Sequence, residues 1–103
     1  MSQIKEITPQ QVEGKLGNNE DFTIIDVRED EEVAQGMVPT AKHIRLGDLP
    51  NKVEELPKAQ EYVMVCRSGR RSMNAAEFMI EKGFRNVQNM EGGMLKWDGE
   101  LVF

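Results

Sequence analysis

The chain has 103 residues, 39% of them hydrophobic and 30% charged, which suits one globular domain over residues 1–103 and leaves too little chain for a second. Its formal net charge of −5 argues against broad nucleic-acid binding. No apolar run approaches a membrane span, and no secretory signal begins the chain, so we expect a cytoplasmic location. One cysteine and one histidine are too few for a disulfide or a structural zinc site, and we expect neither a metal nor a cofactor.

Strands and helices are expected to alternate along the chain. Residues rich in β-branched, aromatic or other apolar side chains predict strands at 4–7, 22–27, 42–45, 62–65 and 86–90. Capping signals and apolar spacing predict helices at 8–17, 29–32, 49–56, 73–82 and 93–97. The fold class is therefore α/β, with a mostly parallel five-stranded sheet flanked by helices on both faces.

Two helical segments carry more specific expectations. Met73, Ala76, Met79 and Ile80 predict the buried stripe of the helix that follows the fourth strand. The acidic residues 29–32 suit the first turn of a short helix, and their side chains are interpreted as a solvated face.

The junction between the fourth strand and the next helix has the composition of an anion site. Cys66 lies at the carboxyl end of the strand, where ligands bind in open α/β sheets. Gly69 lets the following loop curl so that its amides, and the N–H groups of the helix, point at an anion. Arg67, Arg70 and Arg71 raise the local potential further. Because these features favour a thiolate, they predict a nucleophilic cysteine with a lowered pKa.

Simpler interpretations exist for the same residues. A lone cysteine after an apolar strand is often a small buried hydrophobe, but the loop and its arginines favour a reactive one. The arginines are unfavourable at a helix N-terminus unless an anion binds there. His43 is interpreted as a surface or packing residue, since chemistry that starts from a thiolate needs no general base.

Four blocks of the chain resemble the rhodanese family of sulfurtransferases. Residues 66–72 (Cys-Arg-Ser-Gly-Arg-Arg-Ser) are similar to its active-site loop, and the other matching blocks are residues 25–29, 36–44 and 89–97. Met37, Thr40 and Met94 depart from the family's usual residues, which bears on the substrate surface more than on the nucleophile.

The resemblance implies a single-domain, rhodanese-like fold and a two-step sulfur transfer. Cys66 would take sulfur from a donor such as thiosulfate and pass it from a persulfide to a thiol or cyanide. The loop residues Arg67, Ser68, Gly69, Arg70, Arg71 and Ser72 would bind the substrate. Arg67 is expected to attract the donor and Arg71 to brace the loop or the donor, whereas Arg70 can face solvent.

Asp26 and Arg28 lie at the end of the second strand, which the resemblance places beside the active site. A structural ion pair or a loop-bracing contact is the favoured interpretation of these two residues, and a direct part in the chemistry is the alternative.

Three other functions remain as alternatives. A Cys-dependent phosphatase or arsenate reductase needs a loop one residue longer, and arsenate reduction also needs a second thiol. A binding module of the same fold commonly lacks the cysteine. A sulfur carrier, loaded by a cysteine desulfurase and serving a sulfur-accepting protein, would use the same chemistry at Cys66.

Overall fold

The computed structural model describes residues 4–103, and its centre is a five-stranded sheet. The strands lie in the order β1-β5-β4-β2-β3, and all of their pairings are parallel. The predicted α/β class is therefore confirmed, with a sheet that is entirely parallel rather than mostly so. The strands are β1 (Lys5–Ile7), β2 (Thr23–Asp26), β3 (Lys42–His43), β4 (Tyr62–Val65) and β5 (Val87–Met90).

Short helices connect the strands. The α-helices of the described residues are α1 (Pro9–Gly17), α2 (Asp30–Val33), α3 (Leu49–Lys52) and α4 (Arg70–Glu81), with 3₁₀ turns at Leu46–Asp48, Val53–Glu55 and Gly93–Lys96. The helix predicted over 49–56 is thus α3 continued by a 3₁₀ turn. The predicted C-terminal helix is a single 3₁₀ turn, a form usual for pieces this short. Within residues 4–103, none of the helices has the length and apolarity needed to cross a bilayer.

The start of α1 matches its sequence signal. The Thr8 hydroxyl accepts a hydrogen bond from the Gln11 amide at 3.1 Å, and the Gln11 side chain accepts one from the Thr8 amide at 2.9 Å. This reciprocal pair satisfies two amides that a helix end leaves open, so the helix begins where the capping pattern predicts.

Separate apolar clusters cover the two faces of the sheet. Tyr62, Met64 and Cys66 belong to the cluster beneath α3 and α4. Val63 and Val65 belong to the cluster on the opposite face, against α1. Because successive strand residues point to opposite faces, the alternation along β4 directs the Cys66 side chain towards α4.

Helix α4 buries a stripe that begins with a polar residue. Its buried positions, at the i, i+3, i+4 and i+7 spacing, are Ser72, Ala75, Ala76 and Met79. Of the residues predicted for this stripe, Ala76 and Met79 are buried and Met73 is only partly buried. The prediction is wrong for Ile80, which is 42% exposed. Each helical residue turns the side chain by about 100°, so the position after Met79 leaves the sheet-facing side.

Thr40 has a left-handed backbone, with a φ of +71°, although its side chain is β-branched. It is exposed and lies in the turn between α2 and β3. The left-handed conformation costs a residue with a Cβ roughly 1–2 kcal/mol, so the turn is strained at this point.

Thr40→Gly is expected to raise the free energy of unfolding by about 0.5–1 kcal/mol, because glycine adopts this φ freely but gains entropy when unfolded. Urea denaturation measures the change. Thr8→Gly is the matched control, because its φ is −79° and the same substitution there removes a helix cap. Thr8→Gly is expected to lower the free energy of unfolding. A similar decrease for Thr40→Gly would contradict the inference that the backbone of Thr40 is strained.

Candidate active site

Cys66 follows the central strand and is completely buried. All four residues of β4 are buried as well, and the three that precede the thiol, Val63, Met64 and Val65, are apolar. Bulk water therefore does not surround the sulfur in this structure. The charge of a thiolate at this position has to be stabilised by groups of the protein.

Two groups of the following segment reach the sulfur. The Gly69 amide donates a hydrogen bond to Cys66 Sγ at 3.1 Å, and the Ser72 hydroxyl oxygen lies 3.3 Å from it. Burial raises the pKa of the Cys66 thiol, whereas hydrogen bonds from the Ser72 hydroxyl and from the amides of Ser72, Gly69 and Ser68 lower it. The net direction is a lowered pKa, so the hydrogen bonds outweigh the burial.

Gly69 is the residue at which the loop turns into α4. Its φ is +99°, which disfavours any side chain. A Cβ at this position would also lie 3.2 Å from the backbone nitrogen of Gly92. Conformation and crowding together therefore require glycine where the amide aimed at Sγ is placed.

Residues 92–95, which we name the backing segment, support the loop from behind. The amides of Met94 and Leu95 donate to the carbonyl oxygens of Cys66 and Arg67 at 2.9 and 3.0 Å. A Cβ on Gly93 would lie 2.5 Å from both of these carbonyl oxygens. The second glycine of the Gly-Gly pair thus allows the backing segment to contact the loop directly.

Arg71 is engaged by an acidic residue of α2. Its guanidinium donates to both carboxylate oxygens of Glu32 at 2.8 Å. The expectation that residues 29–32 form a solvated face is therefore wrong at Glu32, whose partly buried side chain points towards α4. The hydrogen bond from Arg71 is the largest cause that lowers the pKa of Glu32 to about 2. The charge of Arg71 is balanced within the protein.

Asp26 and Arg28 form a buried ion pair at the end of β2. Arg28 Nη2 donates to Asp26 Oδ2 at 2.8 Å, and Arg28 Nε donates to Oδ1 at 3.0 Å. The same guanidinium donates to the carbonyl oxygens of Gly36 and Glu32 at 2.8 and 3.3 Å. These contacts brace α2, the helix that carries the partner of Arg71.

The other polar loop residues, Arg67, Ser68 and Arg70, are exposed. Arg67 lines a groove of about 460 Å³ together with Leu95 and Trp97. Ser68 and Arg70 line a second groove of about 410 Å³. The structure therefore separates the three loop arginines, because Arg71 is paired and the other two stand at different grooves.

His43 is partly buried, and its Nε2 lies 2.7 Å from the Arg28 carbonyl oxygen. In the part of the chain that the structure describes, no three His, Cys, Asp or Glu side chains are grouped so as to hold a metal ion.

Sequence reasoning missed two residues that contact the loop. Glu32 is one, and no local pattern distinguishes it from the other acidic residues of α2. The second is Asn89 of β5, which is 1% exposed and contacts Gly69 and Ser72. A signal for Asn89 existed, since it is a polar residue on the same strand face as the apolar Val87.

Comparison with known proteins identifies the family. The model of the rhodanese-like domain matches residues 8–100. YtwF of Bacillus subtilis (strain 168), which is named as a provisional sulfurtransferase, is 54% identical to this chain over 98 residues. The matched residues are 95% of this chain and 94% of YtwF. The chain belongs to the rhodanese-like family.

Two further matches extend this result. The crystal structure of a rhodanese-like domain protein from Staphylococcus aureus superimposes with a TM-score of 0.90 at 36% identity, covering 97% of this chain and 98% of that one. YrkF of Bacillus subtilis (strain 168), named as a provisional sulfur carrier, is 38% identical over 99 residues, which are 96% of this chain but 54% of YrkF. The predicted family and fold are confirmed, and sulfurtransferase is the class of activity that the relatives support.

Glu32→Gln is expected to lower the free energy of unfolding at neutral pH by about 1 kcal/mol, because it removes a partly exposed bidentate ion pair. Glu32 contributes fully above its ordinary pKa of 4.5, and its contribution fades as the pH falls towards about 2. Urea denaturation at a series of pH values should therefore show the difference in the free energy of unfolding between the native protein and Glu32→Gln shrinking as the pH falls from 4.5 to about 2.

The exposed neighbour Glu31 provides the control. Glu31→Gln should change the free energy of unfolding by less than about 0.5 kcal/mol. Equal losses in the two variants would show that the Arg71 contact contributes nothing specific.

Proposed function

We propose that this protein is a thiosulfate-type sulfurtransferase that carries the transferred sulfur as a persulfide on Cys66. The observation that carries the proposal is the buried Sγ at the end of β4, with the Gly69 amide donating to it and the Ser72 hydroxyl beside it. A cysteine held in this way ionises more easily and attacks sulfane sulfur as a thiolate. Membership of the rhodanese-like family supports the same chemistry.

In the first half-reaction, the Cys66 thiolate attacks the outer sulfur of thiosulfate. A bond forms between Sγ and that sulfur, the sulfur–sulfur bond of thiosulfate breaks, and sulfite leaves with the bonding electrons. The product is a persulfide anion. The loop amides and the N-terminus of α4 surround this charge, as an oxyanion hole surrounds a developing oxyanion.

In the second half-reaction, cyanide or a thiolate attacks the outer sulfur of the persulfide. The bond between that sulfur and Sγ breaks, its electrons return to Sγ, and the acceptor leaves as thiocyanate or as a new persulfide. The Gly69 amide stabilises the restored thiolate. Because a thiol of lower pKa leaves faster, the same hydrogen bonds assist both halves of the cycle.

The exposed arginines differ from Arg71 in what they offer a substrate. Arg67 lines the groove beside the backing segment and makes no ion pair with any described residue. Its free charge attracts an anionic donor. Arg71, held by Glu32, positions α2 against the loop instead of binding the donor directly.

A sulfur carrier is the second candidate. YrkF bears a sulfur-carrier name, and the chain spans about half of its length. In this function a cysteine desulfurase loads Cys66 and a sulfur-accepting protein unloads it. Both functions require a reduced thiol, which supports action in the cytoplasm.

The decisive experiment is sulfur loading measured by intact mass. Reduced protein is incubated with thiosulfate, freed of excess reagent and compared with Cys66→Ser. The native protein should gain the mass of one sulfur atom, which cyanide removes, and the variant should gain none. Loading by a cysteine desulfurase but not by thiosulfate would favour the carrier, and no loading from either donor would refute both candidates.

Arg67→Ala is expected to raise the KM for thiosulfate about fivefold with little change in kcat, because it removes an attracting charge and leaves the sulfur chemistry intact. Steady-state kinetics at low and high salt measure this, and the effect should fade at high salt. Arg70→Ala is the matched control from the other groove and should change KM less. Identical effects would mean that only the summed charge matters.

A further inference from the structure

Asn89 is a polar residue inside the apolar layer between the sheet and α4. It is 1% exposed and lies on the same face of β5 as Val87, which belongs to the cluster beneath α4. Burying an amide without hydrogen-bond partners is unfavourable, so the partners of Asn89 indicate its role.

All of the hydrogen bonds of the Asn89 side chain can be assigned. Nδ2 donates to the Gly69 carbonyl oxygen at 3.1 Å and to Glu6 Oε2 at 2.9 Å. Both partners can only accept, which fixes this end of the amide as the nitrogen. Oδ1 is in a short hydrogen bond with the Ser72 hydroxyl. Asn89 therefore contacts both of the residues, Gly69 and Ser72, that reach Cys66 Sγ.

The Ser72 hydroxyl has two neighbours but one hydrogen. It lies 3.3 Å from Cys66 Sγ and makes a short contact with Asn89 Oδ1, which can only accept. While the hydrogen points at Asn89, a lone pair of the Ser72 oxygen faces the sulfur and can accept the thiol hydrogen. Once Cys66 is a thiolate, the Ser72 hydrogen has to turn to Sγ, and the bond to Asn89 is lost.

We propose that Asn89 is a positioning residue for Cys66, which holds the Gly69 peptide in place and shares the Ser72 hydrogen with the sulfur. This inference rests on the proposed function, because sulfur transfer repeatedly creates and removes the anion at Sγ. In the persulfide the charge lies on the outer sulfur, and the Ser72 hydrogen lies on Asn89. When the acceptor removes the outer sulfur, the bonding electrons stay on Sγ and the hydrogen turns to it.

The test is a double-mutant cycle on Ser72 and Asn89, with no sulfur donor present. The rate of Cys66 alkylation by iodoacetamide is measured across pH in the native protein, Ser72→Ala, Asn89→Ala and the double variant. With Asn89 present, Ser72→Ala should slow alkylation at neutral pH about threefold, because the hydrogen is shared. Without Asn89 the hydrogen serves the sulfur alone, and the same change should slow alkylation about tenfold or more.

A purely structural Asn89 predicts a different result for this cycle. Ser72→Ala would then have the same effect in both backgrounds, and factors that agree within about twofold would overturn the proposal. The nearby charges are Glu6, Arg67, Arg70 and the pair of Glu32 with Arg71. They are common to all four proteins, so their contributions cancel in the comparison.

Asn89→Asp keeps the inference testable if Asn89→Ala fails to fold. The carboxylate has nearly the same size and still accepts from Ser72, but it presents an acceptor to the Gly69 carbonyl oxygen. Because the new carboxylate would also face Glu6, the variant is made and compared in a Glu6→Gln background, where residue 6 can donate to it and keep it ionised. Its negative charge and its hold on the Ser72 hydrogen then oppose a thiolate, so alkylation at neutral pH should slow at least about tenfold and its pH midpoint should rise. An unchanged midpoint in a folded variant, checked by near-UV circular dichroism, would overturn the inference.

The two proposals fail in distinguishable ways. A native protein that gains no sulfur from any donor refutes sulfur transfer, whereas the alkylation cycle still reports on Asn89. If Ser72→Ala slows alkylation by the same factor with and without Asn89, the positioning of Cys66 by Asn89 is refuted, even in a protein that loads sulfur normally.

Discussion

A sulfur anion without access to water has to be stabilised by the hydrogen bonds and dipoles of the protein, and the architecture around Cys66 meets this requirement. The central position of β4 removes the thiol from solvent, and the first turn of α4 supplies donors in place of water. Residues farther out, such as Gly93 and Asn89, do not touch the sulfur. They hold in place the backbone that does.

Charged side chains connect the second strand to the same loop. Asp26 holds Arg28, whose guanidinium donates to the backbone of Glu32, and the carboxylate of Glu32 holds Arg71. Orientation and attraction are thereby assigned to different arginines. Arg71 is paired with Glu32 of α2, whereas Arg67 lines the groove and makes no ion pair with residues 4–103.

Local patterns in the sequence predicted much of this arrangement, and long-range pairings account for what they missed. Composition located all five strands, and the capping pattern located Thr8, because both signals arise within a few neighbouring residues. Ile80 was misplaced because Ser72 takes a buried position of the α4 stripe that a search for apolar residues passes over. The contacts of Glu32 and Asn89 join distant parts of the chain, so only the assembled fold reveals them.

The contact between the backing segment and the loop has a consequence for protein synthesis. The carbonyl groups of Cys66 and Arg67 receive their hydrogen bonds from Met94 and Leu95, which the ribosome adds well after α4. Until those residues emerge, the loop lacks the support that holds its amides on the sulfur. During synthesis the loop around Cys66 therefore reaches its final hydrogen bonding only when the last part of the domain folds against it.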